Sequence, residues 1–297
     1  MHLVIIGNGG LAARFAARSS AAGHEVYGAG PSASEAWPAE VPFAELNAAD
    51  ELAKELSARA PAVVLVFGAD RGARLAVPVA EVLRIVGSLH GARLIYWGSA
   101  RVYGRPADVV GRVLLEGAPL AANGRAAAAL AADNAAQDVA EARPGDVHLF
   151  RAAEIVGGGS EPVFPALGRL SVVPTPASHR HLQLLDPRDA LEVLDRAVAG
   201  GHPGIYNVTA DGILKVDEAC RALGKSTVRL PRGVLPLVAY GARWTGKIGS
   251  ARELLRLTAG TPLLDNARLK THFGFRPRFT TRQALAAARD GTGKAAV

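Results

Sequence analysis

A glycine-rich turn near the amino terminus has residue types and spacing that bind phosphate. A short apolar run ends in Gly7-Asn8-Gly9-Gly10-Leu11, and an alanine-rich stretch follows. The glycines fit G-x-G-x-x-(G/A) with Ala12 in the last place, and a wider G-x-x-G-x-x-A with Ala13 there. Such glycines permit a tight bend and close approach of backbone to a pyrophosphate. The helix that follows presents N–H groups and a partial positive charge to the phosphates.

The surroundings of this turn favour a dinucleotide-binding unit over an ordinary tight turn without a ligand. Residues 23–27 form a turn into a second strand, which is expected to end near Ala29. Dinucleotide sites carry an acid there for the ribose hydroxyls, or an arginine for a 2′-phosphate. Residues 28–34 contain neither. Ser32 is the candidate contact with the cofactor in this loop. Because neither residue type is present, the sequence indicates no preference between NAD and NADP.

Length, hydrophobic runs and cysteine content limit the class of protein. At 297 residues the chain can hold one large α/β domain or a domain and a half. Its apolar runs are shorter than the roughly 18 residues that span a bilayer, and the amino terminus enters a strand directly. We therefore expect no membrane association, no signal peptide and a cytoplasmic location. The single cysteine, Cys220, fits a reducing compartment and is expected to be buried on a helix.

The positive charge of the chain is concentrated near its end. Residues 216–297 hold 15 Lys and Arg against 5 Asp and Glu, in a chain of net charge +7. The basic residues are scattered, without interleaved aromatic residues, which is typical of a solvated helix surface. We therefore expect no nucleic-acid partner and an anionic small-molecule substrate.

Strand-like and helix-like patterns alternate through the first half of the chain. Apolar strand-like runs occupy 62–68, 93–97 and 147–152, and helical spacing covers 50–60, 75–88 and 121–142. This alternation predicts a parallel sheet with right-handed crossovers, whose ligands lie outside the carboxyl ends of the strands. Gly68 and Ser99 follow two of those ends. The alanine-dominated helix over 121–142 is also a candidate homodimer surface.

Three expectations concern single elements. Alternation along the strand at 93–97 puts Tyr96 on one face of the sheet and Trp97 on the other. A helix is expected over 190–199, which Asp189 could cap. Residues 204–208 are expected to form a short strand.

Four further motifs occur in a fixed order along the chain. They are Tyr96-Trp-Gly-Ser-Ala-Arg-Val-Tyr-Gly104, Phe150-Arg-Ala-Ala-Glu-Ile-Val-Gly157, Gly204-Ile-Tyr-Asn207 and Phe273-Gly-Phe-Arg-Pro277. With the glycine turn, they resemble the extended short-chain dehydrogenase/reductases of the NAD-dependent epimerase/dehydratase type. The resemblance implies a Rossmann fold and NAD(P)-dependent oxidoreductase or isomerase chemistry. It also places Ser99 on the family's catalytic serine.

The Tyr-x-x-x-Lys pair that handles the proton in this family is missing. The resemblance places its two positions near Arg125 and Ala129, and no Tyr or Lys occurs between Gly104 and Arg151. In the family the tyrosine donates or accepts the proton, and the lysine lowers its pKa. Ser99 can still orient a carbonyl or hydroxyl group. Tyr103 is the candidate substitute acid.

Three other residues are candidates for binding substrate. Arg125 offers a fixed cation for a carboxylate or phosphate. Arg180 lies near the place where the family has an arginine that holds a nucleotide-sugar phosphate. His181 has a side chain that titrates near neutral pH. It is separated from His179 by one residue, without a further ligand at metal spacing, so no metal site is expected.

The sequence thus predicts a Rossmann-like, doubly wound parallel α/β sheet with a smaller, mostly helical carboxy-terminal lobe. The dinucleotide lobe is expected over 1–155 and 182–214, and the substrate lobe over 156–181 and 215–297. The leading hypothesis is a divergent NAD(P)-dependent oxidoreductase or epimerase-like enzyme acting on a small anionic or nucleotide-linked substrate. Two alternatives stay open: a non-catalytic NAD(P) or ligand sensor, and a non-redox enzyme (elimination, isomerisation or cyclisation) whose cofactor is structural or absent.

Overall fold

A computed structural model describes residues 1–68, 77–104, 111–121, 126–156, 170–176, 180–231, 233–244 and 259–290. The strands are β1 (His2–Ile6), β2 (Glu25–Gly30), β3 (Phe43–Glu45), β4 (Val63–Phe67), β5 (Arg93–Ser99), β6 (Val113–Leu114), β7 (Val147–Ala152), β8 (Glu154–Ile155), β9 (Val172–Pro176), β10 (His181–Leu182), β11 (Leu184–Leu185), β12 (Gly204–Val208), β13 (Leu214–Lys215), β14 (Ser226–Leu230) and β15 (Leu263–Leu264). The helices are α1 (Gly10–Ala21), α2 (Ala49–Arg59), α3 (Val79–Gly87), α4 (Ala127–Ala142), α5 (Pro187–Ala199), α6 (Val216–Ala222), α7 (Leu235–Trp244), α8 (Ala267–Thr271) and α9 (Thr281–Asp290).

Seven strands form one parallel sheet in the order β12-β7-β5-β4-β1-β2-β3. The chain runs outward from β1 to β3 on one side and then returns to β4, on the other side of β1. This reversal makes a topological switch point between β1 and β4, where ligands of such sheets bind. Because all seven strands are parallel, their carboxyl ends share one edge. The predicted doubly wound parallel sheet is confirmed.

The sheet is buried on both faces, which explains the continuous apolar runs of its strands. Side chains alternate across the pleat, so Leu3 and Ile5 pack on one face with α1 and α5. Val4 and Ile6 pack on the other face with α2, α3 and α4. The same alternation puts Trp97 on the first face and Tyr96 on the second, as predicted.

The later part of the chain has a hydrophobic cluster of its own. It is formed by Val156, Leu170, Val173, Leu182, Leu184, Leu214, Val216, Ala219, Cys220, Ala284 and Leu285. Cys220 is buried on α6, as expected. The region after Lys215 contains more strand than predicted, because β14 pairs in parallel with β9 and β15 with β6. The division into two lobes stays a prediction.

The start of α5 differs from the expected one. Asp186, rather than Asp189, is the N-cap, and its carboxylate accepts the Arg188 N–H at 2.9 Å, with Pro187 in the first turn. The carboxylate of Asp189 instead accepts backbone N–H groups from Arg278 and Phe279 at 3.1 and 3.2 Å. This buried acid therefore ties the carboxy-terminal segment to α5.

Two further expectations concern membranes and metals. Among the described residues, no helix combines the length and apolar composition that crossing a bilayer requires. Within the same residues, no group of three or more His, Cys, Asp and Glu side chains is arranged to hold a metal ion.

Candidate functional site

The glycine turn lies at the switch point and leads directly into α1. Gly7 has a φ of +135°, a conformation that favours glycine, and a Cβ there would lie 3.0 Å from the Cβ of Phe67. Gly9 is the N-cap of α1 with extended backbone, and α1 begins at Gly10. Leu11 is buried and packs in the cluster between α1 and the sheet. The N-terminus of α1 is therefore held at the carboxyl edge of β1.

Asn8 connects the turn to the loop that follows β2. Its Nδ2 donates to the backbone oxygen of Ser32 at 2.9 Å. Its Oδ1 is buried without a hydrogen-bond partner among the described residues. The side chain of Ser32 is exposed. The Asn8 oxygen is an acceptor, so a donor on a bound ligand, such as a ribose hydroxyl, could satisfy it, whereas a phosphate oxygen could not.

A tyrosine fills the space between the ends of β4 and β5. Gly68 donates its N–H to the oxygen of Trp97 at 3.0 Å, and a Cβ at Gly68 would lie 2.4 Å from the hydroxyl of Tyr96. Burial, followed by the charge of Asp133, raises the pKa of Tyr96 above its usual range. Tyr96 therefore stays protonated at neutral pH, and only glycine fits at position 68 without displacing it.

Ser99 ends β5 at the same edge of the sheet. Its Oγ accepts the N–H of Arg101 at 3.3 Å, which starts a 3₁₀ helix over Ala100–Tyr103. The Arg101 guanidinium contacts the Glu154 carboxylate at 3.4 Å. Ser99, Arg101 and Glu154 thus place polar side chains beyond the ends of β5 and β7. The sequence prediction included Ser99 but missed Glu154.

Tyr103 is 1% exposed and belongs to a buried polar network. Its hydroxyl donates to Oδ1 of Asn207 at 2.8 Å and accepts from Arg151 at 3.1 Å. Burial raises the pKa of Tyr103, although the nearby charge of Arg151 opposes this. A role for Tyr103 as substitute acid is untested, and this environment argues against it because the hydroxyl has two protein partners and no exposed surface.

The centre of this network is an ion pair between Arg151 at the end of β7 and Asp133 on α4. Arg151 donates two hydrogen bonds to the Asp133 carboxylate, at 2.9 and 2.7 Å, and both residues are 1% exposed or less. A third bond from Arg151 reaches the backbone oxygen of Glu116 at 2.7 Å. The side chain of Glu116 in turn accepts the N–H of Asn207 at 2.9 Å. The network therefore joins β7, β12, α4 and the segment after β6.

This ion pair also fixes which side of α4 faces the strand ends. Ala129 lies one helical turn before Asp133 and packs, half-buried, against the cluster that contains Trp97 and Tyr103. A methyl group therefore stands at the position where the resemblance places the lysine. Arg125, the candidate for the tyrosine position, lies outside the described residues.

Arg180 and His181 lie in and beside β10, outside the seven-stranded sheet. Arg180 is 8% exposed, and its backbone oxygen accepts the N–H of Val216. His181 is half-buried in β10, which pairs with β13, and its backbone oxygen accepts from Thr261. These backbone bonds attach the two residues to the start of α6 and to Thr261. Their role in binding substrate stays a prediction.

The residues present fit the phosphate-binding part of a nicotinamide dinucleotide. Gly7 and Gly9 keep side chains out of the turn, and α1 supplies a helix N-terminus whose N–H groups can bind the phosphates. At the next strand end, the space beside Gly68 is filled by the Tyr96 side chain. The proton-handling part of the family's site does not fit, because Ala129 replaces its lysine.

Comparison by sequence finds relatives that are described only as uncharacterized, and comparison by structure finds solved proteins of the same fold. No protein-family model matches the sequence. Over 141 residues the chain is 31% identical to proteins of Mycobacterium tuberculosis and Mycobacterium bovis that are described only as uncharacterized. The match covers 47% of this chain and 37% of each relative.

Solved structures with the same fold include several sugar-modifying enzymes. The dTDP-glucose 4,6-dehydratase of Bacillus anthracis, solved with NAD, is 16% identical with a TM-score of 0.70 over 98% of this chain and 96% of that one. The UDP-glucose 4-epimerase of Thermotoga maritima, solved with UDP-glucose, is 13% identical with a TM-score of 0.72 over 98% of both chains. The enzyme WbmH of Bordetella bronchiseptica, in complex with NAD+, is 19% identical with a TM-score of 0.70, again over 98% of both.

These comparisons define the class of fold. The chain has the Rossmann-like fold of the NAD-dependent epimerases and dehydratases, as the resemblance of its motifs implied. The fold agrees along nearly the whole chain, whereas sequence identity stays below one fifth in these structures. Function must therefore be argued from the site itself.

Proposed function

We propose that the chain binds a nicotinamide dinucleotide at the carboxyl edge of its sheet and acts as a divergent, epimerase-like oxidoreductase on a nucleotide-linked substrate. One observation carries the proposal: the bare glycine turn and the N-terminus of α1 lie together at the switch point of a parallel sheet. Neighbours of the same fold were solved with NAD, which supports this cofactor. Whether NAD or NADP is preferred stays open.

In this proposal, different residues at the carboxyl edge of the sheet have different roles. The backbone of Gly7 to Leu11 holds the pyrophosphate, with Asn8 beside it, and Ser32 and Gly68 border the cofactor. When bound, the nicotinamide supplies hydride acceptance or donation. Ser99 orients the reacting hydroxyl or carbonyl group of the substrate. Arg125, Arg180 and His181 are the candidates for holding its anionic part.

The substrate class follows from the charge and from the structural neighbours. The carboxy-terminal residues carry an excess of positive charge, which favours an anionic ligand. The neighbours are named for dTDP-glucose and UDP-glucose. A sugar linked to a nucleoside diphosphate therefore fits the proposal better than a neutral metabolite does.

A cofactor sensor without turnover is the second candidate. It is favoured by the absence of Tyr and Lys between Gly104 and Arg151 and by the burial of Tyr103. A non-redox enzyme that reuses the same cleft is the third. The three candidates separate by two measurements, cofactor binding and conversion of a nucleotide sugar.

Replacement of Gly9 by aspartate tests the proposed site. Gly9 has φ −75° and ψ 168°, which other residues adopt readily, and aspartate is a preferred N-cap residue. Gly9 is buried, so Gly9→Asp should keep α1 at some cost in melting temperature, while its carboxylate repels the pyrophosphate; binding is compared at a temperature where both chains are folded. Calorimetric titration with NAD+ and NADP+ should show binding to the unmodified chain and a loss of at least roughly tenfold in the variant.

A control for the added charge is Gly233→Asp, at an exposed glycine where a Cβ meets nothing within 4 Å. It adds the same charge and should leave dinucleotide binding unchanged. Dinucleotide binding together with conversion of UDP-glucose or dTDP-glucose, detected by product analysis, identifies an enzyme. NADH need not accumulate, because an epimerase-like reaction returns the hydride to the sugar. Binding without conversion favours the sensor. Absence of binding by either dinucleotide to a folded chain would rule out both.

A further inference from the structure

Glu154 and Arg101 form a charged pair beside the place where Ser99 ends β5. Ser99 pairs in register with Ala152 of β7, and Glu154 follows Ala152 by two residues. The guanidinium and the carboxylate are 3.4 Å apart, and the two side chains are 46% and 21% exposed. Of the two charged side chains, that of Glu154 is thus the less exposed, and the pair lies at the carboxyl edge between β5 and β7.

The backbone around Glu154 is fixed on both sides. The N–H of Ala153 donates to the oxygen of Val208 at 2.8 Å, and the N–H of Val156 donates to Leu185 at 3.1 Å. Glu154 itself lies in β8 and pairs with Leu184 of β11. Its carboxylate is therefore attached to a rigid strand rather than to a loose loop, and it stays close to the end of β5.

The order of the strands decides which half of a dinucleotide this pair faces. The glycine turn and the end of β2 take the pyrophosphate and the adenosine half in folds of this type. The other half then extends across the switch point toward β4, β5 and β7. The charged pair stands on that side, with Ser99 and Gly68.

The two redox forms of a nicotinamide ring differ by one unit of charge. The oxidised ring is a cation and the reduced ring is neutral, so a fixed carboxylate nearby attracts only the oxidised form. We propose that Glu154 makes this cleft prefer the oxidised dinucleotide over the reduced one, and that Arg101 limits this preference. The inference rests on the proposed function, and it assigns Glu154 the role of setting the redox balance of the bound cofactor.

The proposal predicts opposite effects for the two members of the pair. Glu154→Gln removes the negative charge but keeps the shape, so the ratio of the NADH to the NAD+ dissociation constant should fall. Arg101→Gln removes the opposing positive charge, so the same ratio should rise. For partly exposed charges, we expect each change to be roughly threefold to tenfold at low salt and smaller at high salt. A tenfold change corresponds to about 30 mV in the potential of the bound couple.

The experiment measures dissociation constants of NAD+ and NADH, or of NADP+ and NADPH if the phosphorylated form binds. It uses the full chain, Glu154→Gln, Arg101→Gln and the control Glu192→Gln. Glu192 pairs with Arg196 on α5 at similar exposure, 18% and 46%, away from the strand ends. The control should leave the ratio unchanged.

Opposite shifts in the Glu154 and Arg101 variants, both reduced by salt, support the proposal. Equal losses of affinity for both redox forms, or an unchanged ratio of their dissociation constants in the two variants, would overturn the proposal. Either result would leave the dinucleotide site itself intact. If neither redox form binds the unmodified chain, the proposed function itself fails, and that outcome is distinct because it does not depend on residue 154.

Discussion

The buried ion pair between Asp133 and Arg151 provides the sharpest prediction about stability. Asp133→Ala removes the two bonds that Arg151 donates to a carboxylate, at 2.9 and 2.7 Å. Arg151 keeps its bonds to Tyr103 and to the Glu116 carbonyl, but its buried charge loses the carboxylate to which it is hydrogen-bonded. Breaking a buried pair by removal of one partner costs about 3–5 kcal/mol.

The magnitude follows from burial and hydrogen bonding together. Burial alone would lower the pKa of Arg151, but the hydrogen bonds and the charge of Asp133 outweigh it and raise the pKa. The carboxylate also accepts a bond from Gln137 at 2.9 Å, which adds about 0.5–1.5 kcal/mol when lost. Asp133→Ala should therefore lower the free energy of unfolding by about 4–6 kcal/mol.

Urea denaturation followed by circular dichroism measures this loss directly. Asp195→Ala is the matched control, since Asp195 pairs with Arg18 on the surface, where the side chains are 35% and 46% exposed. Such a pair contributes at most about 1 kcal/mol. A loss for Asp133→Ala no larger than that of the control would refute the idea that this network holds the strand ends together.

Two further predictions concern side chains near opposite edges of the sheet. Gly68→Ala should lower the melting temperature, because its Cβ would lie 2.4 Å from the Tyr96 ring and hydroxyl. In a double-mutant cycle, Gly68→Ala should cost less stability in a Tyr96→Ala background, where this steric clash is removed. Burial lowers the pKa of His148, so the unfolded chain takes up the proton first and stability should fall as pH drops below about 6.5. Urea titrations between pH 5 and pH 8 should show a weaker pH dependence for His148→Phe; an identical dependence in both chains would contradict this assignment.

The parts of the fold that follow from local patterns were predictable from sequence. The strands at the centre of the sheet are apolar on both faces, and β7 and β12 begin and end at the predicted residues. The turn at Gly7 was equally predictable, because the positive φ at this position is a local backbone requirement that glycine meets. Here local sequence and tertiary structure favour the same conformation.

The parts that depend on distant partners were not predictable. β14 is a mostly exposed strand, and it forms because Val172 to Pro176 lies beside it. The N-cap of α5 moved to Asp186 because Asp189 is occupied by backbone groups about 90 residues away along the chain. Arg151 was recognised only as part of a motif, since its partner Asp133 lies 18 residues earlier, on an alanine-rich helix without a motif of its own.

The residues of the candidate site likewise divide into those that the sequence predicted and those that it did not. Ser99 and the glycine turn were predicted from motifs and lie at one edge of the sheet. Glu154 was missed, because its significance depends on the pairing of β5 with β7 and on the contact with Arg101. A signal was present in the sequence, namely an acid three residues after the buried arginine of a strand end.

The most direct test of the central claim is a crystal structure of the chain soaked with NAD+ and, separately, with NADP+. The predicted result is electron density for the pyrophosphate against the turn from Gly7 to Leu11, with the nicotinamide half on the side of Ser99 and Glu154. An empty edge at saturating concentration, with the turn closed by a neighbouring side chain, would contradict a dinucleotide site at this position.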